Sequence, residues 1–205
     1  MASKTEGIPP PGMRNTKKSI IAGLKVRRGT VITGKKTMLR EKRLSDAHND
    51  YTWQSDPELA RLDAATMTNV SFPVYLLDYT DQLHDPGLNR FPLAVENLDG
   101  KHIGNCTCYD IDEACSEAEL GIMIGNREYW DMGYGADAII AMVDHVFLHS
   151  SLNRIYLKTL SWNLRAQRCF RNCGFTPCGQ MSRDGDDFML MDIKREQWEK
   201  RQERR

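Results

Sequence analysis

The stretch "YWDMGYGADAIIAMVDHVFLHSS", residues 129–151, decides the fold. Ile139, Met142, Val143, Val146 and Phe147 recur at helical intervals, so a long helix is predicted over residues 134–150. Two glycines, Gly133 and Gly135, stand at its mouth. The first N–H groups of a helix lack intrahelical acceptors, and that end carries partial positive charge. Glycine there lets an anion approach the backbone without meeting a Cβ. The pair therefore reads either as a turn into the helix or as a seat for a phosphate. It is neither the G-x-G-x-x-G dinucleotide fingerprint nor a phosphate loop ending in G-K-[ST].

Upstream lie three strand-like runs, "RFPLAVEN" (90–97), "HIGNCTCYDI" (102–111) and "EAELGIMIG" (117–125), whose short connections predict an antiparallel meander. Downstream, "NRIYLKTL" (153–160) reads as a strand and "NLRAQRCFRNC" (163–173) as a helix stopped by Gly174. Two more strands, turned at "RDGD", close the pattern. A strand–helix–strand unit in an antiparallel setting forces one parallel pairing, because the crossover helix returns the chain. The reading is an α/β fold with a mixed, mostly antiparallel central sheet of about seven strands flanked by helices. Before the meander, "TVITGKKTMLREKR" (30–43) predicts a hairpin turned at Gly34. A first helix starts in "LSDAHNDYTWQSD" (44–56), with Ser45 or Asp46 as its N-cap, and another falls within Pro73 to His84.

A chain of 205 residues suits a single domain. Residues 1–28, with three consecutive prolines and a basic cluster, read as a flexible arm, residues 29–198 as the domain and 199–205 as a charged tail. The arm interleaves no aromatic residues with its cations, which argues against nucleic-acid binding. No apolar run approaches the roughly 20 residues of a membrane span, and no secretory core is present, so a cytoplasmic location is expected. The six cysteines, spaced C-x-C at Cys106 and Cys108 and C-x-x-x-C at Cys169 and Cys173, fit reduced thiols better than a zinc ribbon, and no metal is expected. The net charge of zero hides blocks of +8 over residues 1–50, −10 over 51–125 and +2 over 126–205. Such an acidic middle segment either is solvated surface or attracts a cationic partner.

Together, "AELGIMIGNREYWDMGYGADA" and "LNRIYLKTLSWNLRAQRCFRNCGF" closely resemble the GNAT superfamily of acyl-CoA-dependent N-acetyltransferases. Within it they are most similar to the branch that acetylates ribosomal-protein N-termini. The resemblance covers roughly residues 30–198. Trp130 to Gly135 match the family's pyrophosphate motif, R/Q-x-x-G-x-G/A, with Trp130 where Arg or Gln is common. The second departure is Phe170, which occupies the position where many members carry a tyrosine that protonates the leaving thiolate.

The resemblance implies acetyl-CoA as co-substrate and direct transfer to a primary amine in a ternary complex, without a covalent enzyme intermediate. It implies that Trp130, Asp131, Met132, Gly133, Tyr134, Gly135 and Ala136 hold the pyrophosphate. Backbone groups of Ile122, Met123 and Ile124 would pair with the pantetheine arm, as an added strand does. Asn163 would hydrogen-bond the cofactor, and Arg168 or Arg171 would reach its adenosine phosphates. An amine must lose a proton to attack, and Glu119, on the same strand face as Gly121, is the candidate base. Ser161 is a candidate proton donor to the thiolate. The acceptor is expected to be a cationic amine: a protein N-terminus, a polyamine or an aminoglycoside. A monomer or a homodimer is expected. The lost tyrosine also admits a second reading, a non-catalytic acyl-CoA sensor.

Overall fold

The computed structural model describes residues 31–203 except 86 and 88, so the expected arm, residues 1–28, lies outside the described residues. The strands are β1 (Ile32–Thr33), β2 (Thr37–Glu41), β3 (Phe91–Asn97), β4 (His102–Asp112), β5 (Glu117–Ile124), β6 (Arg154–Leu160), β7 (Thr176–Arg183) and β8 (Asp186–Lys194). The helices are α1 (Ala47–Gln54), α2 (Pro57–Leu62), α3 (Phe72–His84), α4 (Tyr134–His149), α5 (Leu164–Cys173) and α6 (Arg195–Gln202).

All eight strands form one sheet in the order β1-β2-β3-β4-β5-β6-β8-β7. Among the described residues only β5 and β6 pair in parallel, as the α4 crossover requires. Eight strands among the described residues agree with the expected sheet of about seven, and the short β1 belongs to the hairpin that turns at Gly34. One core cluster joins sheet residues such as Leu39, Leu93, Val95, Ile155, Leu157 and Met191 to Ala138, Ile139, Met142, Val146 and Phe147 of α4. Each large side chain so buried contributes about 1.5–3 kcal/mol of transfer free energy. A second, smaller cluster of Ala47, Tyr75 and Tyr79 joins α1 to α3.

Two features differ from the sequence reading. A 3-10 turn (Leu44–Asp46) leads into α1, and Asp46 does not cap the helix through its side chain. Its carboxylate is buried against Arg40 instead, with Nη1 and Nη2 donating at 2.7 and 2.8 Å. Helix α2 was not expected. Asp56 caps it by accepting from Glu58 N and Leu59 N, and Pro57 occupies its first turn. Finally, the helix α6 runs past residue 198 into the segment read as a charged tail. Trp198 Nε1 donates to Asp144 Oδ1 at 2.6 Å, and Arg201 Nη1 donates to the Cys173 carbonyl at 2.5 Å. That carbonyl precedes Gly174, whose φ of +100° ends α5 in a conformation an L side chain resists.

The site follows from one irregularity of the sheet. Strand β5 pairs with β4 along Glu117 to Ile124 but with β6 only from Glu117 to Glu119. From Leu120 onward its other edge has no strand beside it among the described residues, and a wedge opens toward the N-terminus of α4.

Candidate active site

The wedge is a groove of about 830 Å³, floored by β5 and walled by α2, the α4 entrance and α5. At its deep end the chain winds through Asp131 (φ +57°) and Gly133 (φ +83°) before entering α4. Left-handed backbone at a non-glycine residue costs of order 1 kcal/mol and clusters at functional sites. Helical pairing begins with Asp137 N donating to Gly133 O at 3.0 Å. The amides of Tyr134, Gly135 and Ala136 therefore have no backbone acceptor among the described residues. A Cβ added to Gly135 would stand 3.6 Å from Ile124 Cγ1 and 4.0 Å from Cys169 Sγ, which places that face of the loop on the groove floor. Uncommitted amides at a positive helix end fit a pyrophosphate.

Neighbours more than 90 residues away in sequence hold this loop. Asp137 accepts four hydrogen bonds at 2.8–2.9 Å, from Lys35 N, Lys36 N, Thr37 N and Thr37 Oγ1, and so clamps the β1–β2 turn onto α4. Gly34 is required in that turn, because a Cβ there would fall 2.2 Å from Asp137 Oδ2. Lys36 Nζ donates to the Met132 carbonyl at 2.9 Å, tying the hairpin to the loop itself. Burial pushes the Asp137 carboxyl up, but these bonds outweigh it and hold the group below its usual range. A depressed folded-state value means stability that is present above the unfolded value near pH 4 and lost as pH falls through the folded one. Asp137→Ala is expected to cost about 1–3 kcal/mol at pH 7 in urea unfolding, and less at pH 3. An equal cost at both pH values would contradict the clamp.

Trp130 stands across the cleft. Its Nε1 donates to the Ile124 carbonyl at 2.6 Å, and the Arg165 guanidinium stacks 3.9 Å from its ring. Ile122, Met123 and Ile124 all line the groove, where the Ile124 carbonyl accepts from Trp130 while the Met123 carbonyl faces Gly104 of β4. Arg127, also over the Trp130 ring, binds both Asp56 oxygens at 2.8 and 2.9 Å and Glu58 at 2.8 Å. Arg61 lies 5.1 Å from the Trp162 ring. Helix α2 is thus strapped over the groove from both sides.

Of the other expected residues, Asp131, Gly133, Gly135, Ala136, Asn163 and Arg168 line the groove. Asn163 Oδ1 accepts from Ala166 N at 3.1 Å and caps α5, leaving its Nδ2 uncommitted among the described residues. Met132 turns its side chain to solvent, and the Tyr134 ring packs edge-on against Tyr129. Arg171 is absent from the groove lining and reaches Gln167 Oε1 at 3.5 Å and Met189 Sδ at 4.0 Å instead. Ser161 is also absent from the lining, since β6 has ended and its backbone is bound to Asp187 and Gln167.

At the far end, where β5 and β6 part, Glu119 is only 3% exposed. Its Oε1 accepts from the Tyr109 hydroxyl at 2.7 Å and its Oε2 from Lys158 Nζ at 2.6 Å. Burial, then Glu119, raises the Tyr109 phenol well above its ordinary value, and pushes Tyr156 up to about 12. Phe170 presents its ring to the groove and packs edge-on against Phe175. Sequence reasoning missed Lys36, Tyr109, Asp137, Lys158 and Arg165. Only Asp137, an acid in a first helical turn, carried a local signal.

The chain is 29% identical over 167 residues to the uncharacterized N-acetyltransferase p20 of Bacillus licheniformis, covering 77% of this chain and 93% of that one. Among solved structures, a spermidine N-acetyltransferase from Vibrio cholerae in complex with CoA and spermine superposes with a TM-score of 0.69 at 21% identity, over 79% of this chain and 97% of that chain. An aminoglycoside acetyltransferase in complex with coenzyme A superposes with a TM-score of 0.68 at 18% identity, over 81% and 99%. These structural likenesses speak for the fold. The profile of the acetyltransferase (GNAT) domain matches residues 36–176, and with that match the chain belongs to the GNAT acetyltransferase family.

Proposed function

We infer that this N-acetyltransferase moves the acetyl group of acetyl-CoA to a primary amine on a cationic acceptor, by direct attack within a ternary complex. The observation that carries the reading is the wedge between β5 and β6 ending on the unpaired amides of Tyr134, Gly135 and Ala136. Those amides, with Arg165 and Arg168, hold the pyrophosphate end. The open edge of β5 along Ile122 to Ile124 takes the pantetheine arm, and Asn163 Nδ2 hydrogen-bonds it. The thioester then reaches the end lined by Tyr109, Glu119 and Lys158.

Charge at that end supports a cationic acceptor. Asp63 and Asp110 line the groove there, and Asp110 also borders an adjoining hollow of about 520 Å³ lined by Asp112 and Glu113. Polyamines, aminoglycosides and basic protein N-termini, the acceptors of the branch the sequence resembles, share that chemistry. Kinetics with spermidine, kanamycin and a basic peptide distinguish them. For the true acceptor, kcat/KM is expected to fall roughly tenfold between 50 mM and 500 mM salt, since screening weakens steering by exposed charge. A salt-independent kcat/KM would remove the acidic trough from the account.

A further inference from the structure

Resting on the transferase reading, we propose that Asp63, not Glu119, takes the proton from the acceptor amine. Glu119 is a poor acceptor of that proton, because both of its oxygens are already bound, one by Tyr109 and one by the Lys158 ammonium. It acts as a positioning residue, holding the Tyr109 phenol and the Lys158 cation.

Asp63 has the opposite surroundings. It lines the same end of the groove, and no hydrogen bond or ion pair reaches its carboxylate among the described residues. It is the C-cap of α2, the negative end of a helix, where a carboxylate is electrostatically disfavoured. The following residue, Ala64, is held left-handed at φ +50°, and Ala65 N reaches back to Ala60 O at 3.0 Å. This is the helix ending usually given to glycine, here built with alanine, so the backbone carrying Asp63 is fixed at a cost of strain. The groups that share its space are Tyr109 and Asp110 of β4, Glu119 of β5, Lys158 of β6 and Arg183 of β7, while Arg61 of its own helix is turned to Trp162. The Asp63 side chain is exposed to the groove, and the protein packed around that opening pushes its carboxyl up to about 6. A base with that value is better matched to neutral pH than an ordinary carboxylate.

The step balances as follows. The ammonium of the acceptor gives one proton to Asp63, and the freed lone pair forms the N–C bond to the acetyl carbon. Collapse breaks the C–S bond. The second proton on nitrogen passes through groove solvent to the departing thiolate, so CoA leaves as the thiol, and Asp63 returns its proton to solvent. No side-chain acid is needed, which accommodates Phe170.

The test compares wild type with Asp63→Asn, Asp63→Glu and Glu119→Gln, using acetyl-CoA and whichever of spermidine, kanamycin and a basic peptide turns over fastest. Asp63→Asn is expected to fold normally, because it loses no bonded partner, and to bind acetyl-CoA like wild type. Its kcat/KM is expected to drop about 100-fold, with loss of the acidic limb near pH 6. Asp63→Glu restores part of the rate and the limb, and Glu119→Gln keeps the limb. An Asp63→Asn enzyme within about threefold of wild type, with the same limb, overturns the assignment alone. A wild type that binds acetyl-CoA but acetylates none of the three amines overturns the transferase reading and the assignment with it. Carbon-detected NMR of the Asp63 carboxyl supplies a readout without turnover. Titration near pH 6 supports the proposal, and titration at the ordinary value near 4 contradicts it.

Discussion

Gly135→Glu is expected to abolish acetyl-CoA binding, raising Kd by at least about 100-fold, or ~2.7 kcal/mol, while leaving thermal stability intact. The fold tolerates the change because Gly135 is in the first turn of α4 with no atom nearer than 3.6 Å to an added Cβ. An acid in a first helical turn is if anything favourable there. The same side chain stands on the groove floor, where the diphosphate must meet the amides of Tyr134, Gly135 and Ala136. It therefore both fills the cradle and opposes an anion with an anion. Calorimetry with CoA and a melting curve on one preparation separate the two effects. A variant that binds CoA like wild type would show that the α4 entrance is only a turn.

The largest loss of stability is expected from Arg40→Ala, about 3–5 kcal/mol at pH 7. Arg40 is 5% exposed, and it binds Asp46 through two nitrogens and Glu96 through Nε at 2.6 Å. Both carboxylates are buried, so removing the guanidinium strands two charges away from water. Burial works against the ionised Asp46, yet the hydrogen bonds from Arg40 and the Arg43 amide hold its carboxyl below the usual range. Its stabilisation is thus present above the unfolded value near pH 4 and lost as pH falls through the folded value. Urea titrations at pH 7 and pH 3 measure the effect, and the loss should shrink at the lower pH. A cost under about 1 kcal/mol at pH 7 would mean that water reaches the carboxylates. Arg40 connects β2 and β3 to the turn that starts α1, and so fixes the frame from which α2 and Asp63 extend.

The strand–loop–helix–strand–helix run from Glu117 to Cys173 was legible because each part obeys a local rule. Alternation marks β5 and β6, helical periodicity marks α4, and glycines mark its entrance and the end of α5. The same locality explains what stayed hidden. Helix α2 has only six residues and ends on Ala64 where a glycine would have announced the stop. Helix α6, "REQWEKRQ", has no apolar stripe and is held by Trp198 and Arg201 reaching other elements. Glu119 was recognised as a groove residue from strand alternation, but its pairing with Lys158 depends on the register of β5 against β6. The Asp137 clamp joins residues about 100 positions apart, beyond any sequence window. Ser161 and Arg171 stand outside the groove lining because Ser161 follows the end of β6 and the Arg171 side chain turns to Gln167 and Met189.

Transfer itself is the most direct measurement: acetyl-CoA labelled in its acetyl group, incubated with wild type and an amine, with mass spectrometry of both products. Label on the amine nitrogen, CoA released in equal amount, and no label retained on the protein are expected. Acetylated enzyme as an intermediate, or bound acetyl-CoA that no amine ever discharges, would contradict direct transfer in the β5–β6 groove.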